Sequence, residues 1–217
     1  MTESVVFDMD GVLIDSEERW DAVRRELVAA AGRPFPDEAT RAMQGMSAPE
    51  WERYLHEELG VPGTPEQIGR EVVDAMADGY RDDLPLLPGA VDAVTALAAS
   101  YRLAVASSSN RRLIELVLEL AGIADHFDVV VSSEEVDRGK PDPDVYLEAA
   151  RQLGVAADAC VAVEDSSSGL RAAHAAGMAV VAVPNRAFPP DPDALALADV
   201  VVEQVGEVTP ALVADLR

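Results

Sequence analysis

Apolar and polar positions follow two alternating patterns along the chain, short β-branched runs and longer amphipathic stretches. Helical spacing of apolar residues marks stretches 110–121, 142–153 and 166–176, which lie between the runs. Repeated alternation of strand and helix is typical of βαβ units and a parallel sheet. We therefore predict a doubly wound, Rossmann-like α/β core with strands at residues 5–7, 102–106, 128–131, 160–163, 179–183 and 199–202.

The connection between the first two predicted strands is too long for one crossover. It spans about 90 residues, whereas a single helix with short loops normally suffices. Residues 90–99, after Pro88-Gly89, supply that helix, and residues 16–84 carry helical periodicities of their own. The pattern predicts an all-helical insertion of about four helices, residues 16–84, between core segments 1–15 and 85–217. We expect it to form a cap, or lid, whose large apolar side chains mainly fill its own core.

The composition limits the classes of function that the protein can have. The chain has 217 residues, 49% of them apolar, which is enough for one core plus an inserted subdomain. The formal net charge of −23, from 40 acidic and 17 basic residues, argues against binding nucleic acid or an anionic membrane, since both need a basic surface. Any phosphate site here needs a metal ion, a lysine or helix N-termini to reverse the field locally.

Cysteine and histidine usage adds little chemistry. Cys160 is the single cysteine and lies in an apolar run, so we interpret it as a small buried hydrophobe in a reducing compartment. His56, His126 and His174 lack a metal-ligand spacing and are interpreted as structural. No signal-peptide pattern and no apolar stretch of about 20 residues is recognisable. We expect a cytoplasmic monomer.

Two acidic pairs follow predicted strands. Asp8 and Asp10 come directly after the first strand, and Glu164-Asp165 follows the fourth. Because the carboxyl ends of parallel strands meet at one edge of the sheet, the four carboxylates are expected to converge there. Oxygen ligands without histidine or cysteine select a hard cation, and Mg²⁺ is the predicted cofactor.

Two further features suit a phosphate ligand. Lys140 is the sole lysine, since the other 16 of the 17 basic residues are arginines, and it lies in a Gly-Lys-Pro loop. Ser107-Ser108-Ser109-Asn110 follows the second strand, where hydroxyls and free N–H groups at a helix start can bind anionic oxygens. The same four residues also suit an ordinary helix N-cap.

Taken in order, these motifs resemble the haloacid dehalogenase superfamily, in its β-phosphoglucomutase-like and phosphoglycolate phosphatase-like branch. The resemblance covers nearly the whole chain. It rests on Phe7-Asp8-Met9-Asp10-Gly11, Ser107, Gly139-Lys140-Pro141 and Val163-Glu164-Asp165-Ser166, with a helical insertion after the first motif. It implies a Mg²⁺-dependent phosphatase that acts on a small phosphorylated metabolite through an aspartyl-phosphate intermediate.

The resemblance also implies individual roles. Asp8 would be the nucleophile, Asp10 the general acid and base, Ser107 a ligand of the phosphoryl group, and Lys140 the cation that neutralises it. Asp165 and Glu164 would hold Mg²⁺ together with Asp8 and the backbone carbonyl of Asp10. An acid at Asp10 favours phosphoryl transfer over dehalogenation.

Cap positions bear on the substrate. Trp20, Gln44, Gly45, Met46 and Ser47 correspond to residues that face the site in similar proteins, and they suggest a neutral, partly apolar pocket without a cap cation. Sugar phosphates are therefore favoured over small phosphorylated acids, although both remain possible.

Two other functions stay open. A phosphosugar mutase of the β-phosphoglucomutase type typically carries a histidine where this chain has Trp20, and a basic residue where it has Ala48. A phospho-acceptor signalling module would also group acids, a hydroxyl and a lysine around Mg²⁺, but it lacks a helical insertion of this size.

Overall fold

The computed structural model describes residues 2–43, 46–186 and 188–216. Its sheet has six parallel strands in the order β3-β2-β1-β4-β5-β6. The central strand is β1, Ser4–Phe7, flanked by β2, Arg102–Ser107, and β4, Cys160–Glu164. The outer strands are β3 (Val129–Ser132), β5 (Ala179–Ala182) and β6 (Val200–Val201). These strands confirm the predicted doubly wound α/β fold.

Among the described residues, four helices lie between β1 and the crossover to β2. They are α1 (Glu17–Ala30), α2 (Asp37–Met43), α3 (Ala48–Glu57) and α4 (Pro65–Asp82). The starts of α3 and α4 are set locally by capping boxes, Ser47 with Glu50 and Thr64 with Gln67, which pair N–H groups that the first helical turn leaves free. The helices expected of a cap are therefore present, and residues 16–84 as a separate domain stay a prediction.

The remaining helices cover both faces of the sheet. They are α5 (Ala90–Ala98), α6 (Arg111–Leu120), α7 (Asp144–Leu153), α8 (Ser167–Ala175), α9 (Pro192–Leu195) and α10 (Pro210–Asp215). Successive β1 side chains alternate between two apolar clusters: Val5 and Phe7 pack with α5, α6 and the inserted helices, and Val6 packs with α7 and α8. Burial on both faces explains why the strands read as continuous apolar runs.

Three smaller expectations can be compared with the structure. Cys160 is buried with a free thiol, and burial raises the pKa of that thiol to about 11, as befits an inert core residue. The metal-ligand grouping found among the described residues contains no histidine. Within the described part of the chain, no helix is long and apolar enough to span a membrane.

Candidate active site

The carboxyl ends of β1 and β4 bring the first and last acidic motifs together. Phe7 pairs with Val163, and the N–H of Asp8 donates to the Val163 carbonyl at 2.9 Å. The chain then turns tightly at Gly11, whose φ of 78° favours glycine. A Cβ at Gly11 would lie 2.0 Å from Oδ2 of Asp165, so only glycine leaves room for that carboxylate.

Asp10 is held by two hydroxyl groups. Ser16 Oγ donates to its Oδ1, and Ser109 Oγ donates to its Oδ2 at 2.6 Å. Ser16 lies just before α1, so the start of the helical insertion fixes this carboxylate. Asp10 is thereby oriented separately from Asp8, which is paired with a lysine instead.

Lys140 lies between two carboxylates. Its side chain is 3% exposed, and Nζ lies 2.6 Å from Oε1 of Glu164 and 2.9 Å from Oδ1 of Asp8. The contact with Asp8 is an ion pair whose geometry is not that of a hydrogen bond. Burial lowers the pKa of Lys140, but the charges of Asp8 and Glu164 outweigh it and raise the pKa above the ordinary value. The lysine therefore stays charged beside Asp8.

Glu164 is fully buried and accepts five hydrogen bonds. Oε1 accepts from Lys140 Nζ and from Tyr146 Oη at 2.8 Å, while Oε2 accepts from the N–H groups of Asp165 and Ser166 and from Ser166 Oγ. Burial alone would raise the pKa of Glu164, but Lys140 and these donors hold it below its usual value. Glu164 therefore stays ionised, and it anchors Lys140.

The carboxylates suit a hard cation. Asp8, Glu164 and Asp165 are buried, and each offers an oxygen within 4.8 Å of the others. Burial, with the charges of Glu164 and Asp10 adding to it and that of Lys140 opposing it, raises the pKa of Asp8 to about 7. The pKa of Asp165 is also raised well above its ordinary value, by burial and by the charges of Glu164 and Asp8. A divalent cation would offset this repulsion, so the donor set fits Mg²⁺.

The serine loop after β2 differs in part from the expectation. Ser108, Ser109 and Asn110 line the cavity beside Asp8, but Ser107 is fully buried, and its Oγ accepts from the N–H of Ser109 at 3.0 Å. The Asn110 side chain caps α6 through Arg112 N–H and donates to both oxygens of Glu134. Asn110 is thus engaged as a helix cap, and phosphoryl binding by Ser107 stays a prediction.

A cavity of about 120 Å³ separates these groups from the inserted helices. Trp20 and Met46 line it as expected, together with Met43, Ala48 and Trp51. Ser47 instead caps α3, donating to Glu50 from its hydroxyl at 2.6 Å, and it lines a neighbouring groove. Gln44 and Gly45, which we also expected to face the site, lie outside the described residues.

The expectation of a pocket without a cap cation is wrong. Arg24 on α1 lines the cavity and is 8% exposed, with its guanidinium 4.9 Å from the ring centroid of Trp20 and 5.3 Å from that of Trp51. Burial lowers the pKa of Arg24 to about 10, so the side chain remains cationic near neutral pH. Its position on the buried stripe of α1, four residues after Trp20 and four before Val28, is the signal that sequence reasoning overlooked.

Comparison with known proteins places this site in a family. The profile of the haloacid dehalogenase-like hydrolases matches residues 2–177. Hexitol phosphatase B of Escherichia coli (strain K12) is 36% identical over 214 residues, covering 95% of this chain and 94% of the relative. The phosphorylated carbohydrates phosphatase of Thermotoga maritima is 32% identical over 177 residues, covering 81% of this chain and 82% of the relative.

A solved structure agrees over the full length. The crystal structure of CbbY from Rhodobacter sphaeroides in complex with phosphate has a TM-score of 0.88 and 29% identity, and the match covers 100% of each chain. Sequence and structure therefore agree, and the chain belongs to the haloacid dehalogenase-like hydrolase family.

Proposed function

We propose that the chain is a Mg²⁺-dependent phosphatase that hydrolyses a small phosphate monoester, of the sugar phosphate class, through an aspartyl-phosphate on Asp8. The names of its relatives support phosphate monoester hydrolysis, since they include phosphatases of hexitol and carbohydrate phosphates. Within the site, the observation that carries the proposal is the separation of two neighbouring acids. Asp8 is paired with Lys140, whereas Asp10 is held by Ser16 and Ser109.

This separation suits two roles. A carboxylate oxygen of Asp8 attacks phosphorus, the bond from phosphorus to the ester oxygen breaks, and Asp10 gives a proton to the departing alkoxide. Asp10 then takes a proton from the water that attacks phosphorus, and the bond between phosphorus and Asp8 breaks to release inorganic phosphate. The hydroxyls of Ser16 and Ser109 keep the Asp10 carboxyl facing the cavity through both steps.

Charge balance in the site supports the same reaction. Repulsion between the Asp8 carboxylate and a phosphoryl anion opposes the attack, and Lys140 lies where it can lower that repulsion. Mg²⁺, held by Asp8, Asp165 and Glu164, would supply the remaining positive charge for the phosphoryl oxygens. Because Glu164 already accepts five hydrogen bonds, its main contribution is to fix Lys140.

Release of inorganic phosphate from a panel of phosphorylated metabolites tests the proposal. The purified protein should turn over at least one sugar phosphate with Mg²⁺ and lose that activity on chelation. Asp8→Asn should abolish turnover, while Asp158→Asn, in a turn at the opposite end of the sheet, should not. Isomerisation of a hexose phosphate without net release of phosphate would contradict hydrolysis and indicate a mutase.

A further inference from the structure

The inserted helices contribute a buried cation that the proposed phosphoryl chemistry does not use. Arg24 lines the same cavity as Asp8, Asp10 and Lys140, but it approaches from α1 instead of from the sheet edge. Its Nε is buried and has no hydrogen-bond partner among the residues that the structure describes. An unpaired buried donor is unfavourable, and the guanidinium that carries it lines a ligand cavity, so we expect the ligand to supply an acceptor to this group.

The guanidinium is held in place by two indole rings. Trp20 and Trp51 have ring centroids 5.9 Å apart, and Arg24 lies within 5.3 Å of both. Their faces stabilise the positive charge by cation–π attraction and restrict the rotation of a side chain that is otherwise flexible. A cation fixed before binding loses less conformational entropy when a ligand arrives.

We propose that Arg24 is a specificity-determining residue that binds an oxyanion, either a carboxylate or a second phosphate, on the part of the substrate remote from the phosphoryl group undergoing transfer. The planar N–H fork of arginine matches two oxygens of such a group and balances its charge, whereas a neutral hydroxyl offers one acceptor and no charge. The inference rests on the proposed function and narrows its substrate class: among sugar phosphates and related esters, those that carry a second anionic group should be preferred.

Neighbouring acids set the preferred charge of that group. Glu17 and Asp10 line the same cavity, and their carboxylates act on Arg24 through space. They oppose a doubly charged phosphate more strongly than a singly charged carboxylate. We therefore expect phosphorylated acids to rank above bisphosphates, and both to rank above neutral phosphate esters.

A matched pair of esters tests the role of Arg24. 3-Phosphoglycerate has a carboxylate where glycerol 3-phosphate has a hydroxymethyl group. A third ester, 1,3-propanediol bisphosphate, carries a second phosphate and tests that alternative. The quantity compared is the ratio of kcat/KM for each anionic ester to that for glycerol 3-phosphate. Arg24→Met should lower the ratio for 3-phosphoglycerate about 10- to 100-fold, the range of a charge-assisted hydrogen bond.

Two further variants complete the test. Arg53→Met removes an exposed arginine from α3, the helix that carries Trp51, and should leave the ratio unchanged. Arg24→Lys keeps the charge without the fork and should lower the ratio less than Arg24→Met does, about 3- to 10-fold. If Arg24→Met does not fold, as judged by its thermal unfolding, Arg24→Lys carries the test.

The outcomes separate this inference from the proposed function. Preference of the wild-type protein for glycerol 3-phosphate, or an unchanged ratio in the Arg24 variants, overturns the oxyanion site while leaving a phosphatase. Failure to hydrolyse any ester contradicts the phosphatase instead. Calorimetric binding of the same pair to Asp8→Asn and Asp8→Asn/Arg24→Met then tests Arg24 without turnover, and equal affinities for both esters in Asp8→Asn would overturn its role.

Discussion

Gly169→Ala is expected to damage the site through a single methyl group. Gly169 is on α8, and a Cβ there would lie 1.6 Å from Oε1 and 2.2 Å from Oε2 of Glu164. Glu164 cannot move aside without cost, because it is fully buried and accepts five hydrogen bonds. Its displacement leaves the buried Lys140 ammonium poorly paired.

The size of the effect follows from two opposing contributions. Disrupting a buried ion pair costs about 3–5 kcal/mol. Replacing a helical glycine by alanine stabilises the helix by about 1 kcal/mol, because alanine has the higher helix propensity. We therefore expect Gly169→Ala to lower the free energy of unfolding by about 2–4 kcal/mol, and to lower kcat/KM because Lys140 loses its anchor.

Gly69→Ala is the matched control. Gly69 is also helical, on α4, and a Cβ there would lie 2.0 Å from Oε1 of Glu52. Glu52 is only partly buried, so its carboxylate can rotate towards solvent, and the gain in helix propensity should leave the variant as stable as wild type or up to about 1 kcal/mol more stable. Urea denaturation followed by circular dichroism measures both. Equal effects of the two substitutions would refute the reasoning.

Three further predictions concern charged groups. Lys140→Arg should lower kcat/KM about 100-fold or more, because a planar guanidinium does not fit between Asp8 and Glu164, and steady-state kinetics showing near-wild-type activity would mean that charge alone suffices. Chelation of divalent cations should abolish turnover and Mg²⁺ should restore it, whereas activity that persists after dialysis against a chelator would contradict a metal requirement. Glu52 has its pKa raised from 4.5 to about 7 by burial and by the charges of Glu134 and Glu66. Because the folded state then binds more protons between those two values, the protein should lose stability as the pH rises through that window. At pH 8, the free energy of unfolding of Glu52→Gln should exceed that of wild type by about 1 kcal/mol, after allowance for solvent screening. At pH 5.5 the excess should be smaller. Denaturation that gives the same excess at both pH values would contradict this.

The convergence of the acidic motifs was predictable from sequence. Asp8 and Glu164-Asp165 each end or follow a run of β-branched residues, and parallel strands place such ends at one edge whatever the intervening chain does. The same rule accounts for Lys140 only in part. Its loop follows β3, but its place between two carboxylates depends on packing against Tyr146.

The side-chain contacts on the cap side of the cavity were harder to predict from sequence. Arg24 is stabilised by Trp20 on its own helix and by Trp51 on another, and no periodicity within one helix reveals a contact between two. Likewise, the hydroxyl of Ser47 and the amide of Asn110 each suit a ligand or a helix cap equally well. The contacts in the folded chain decide between these uses: the Asn110 amide donates to Glu134, and the Ser47 hydroxyl donates to Glu50.

Trapping the covalent intermediate tests the central claim most directly. The protein would be mixed with Mg²⁺ and a substrate found in the metabolite panel, quenched in acid during turnover, and digested for mass spectrometry. The account predicts that the peptide containing Asp8 gains one phosphoryl group on that residue, and that Asp8→Asn gains none. Turnover with a phosphoryl group on another side chain, or rapid turnover by Asp8→Asn, would contradict it.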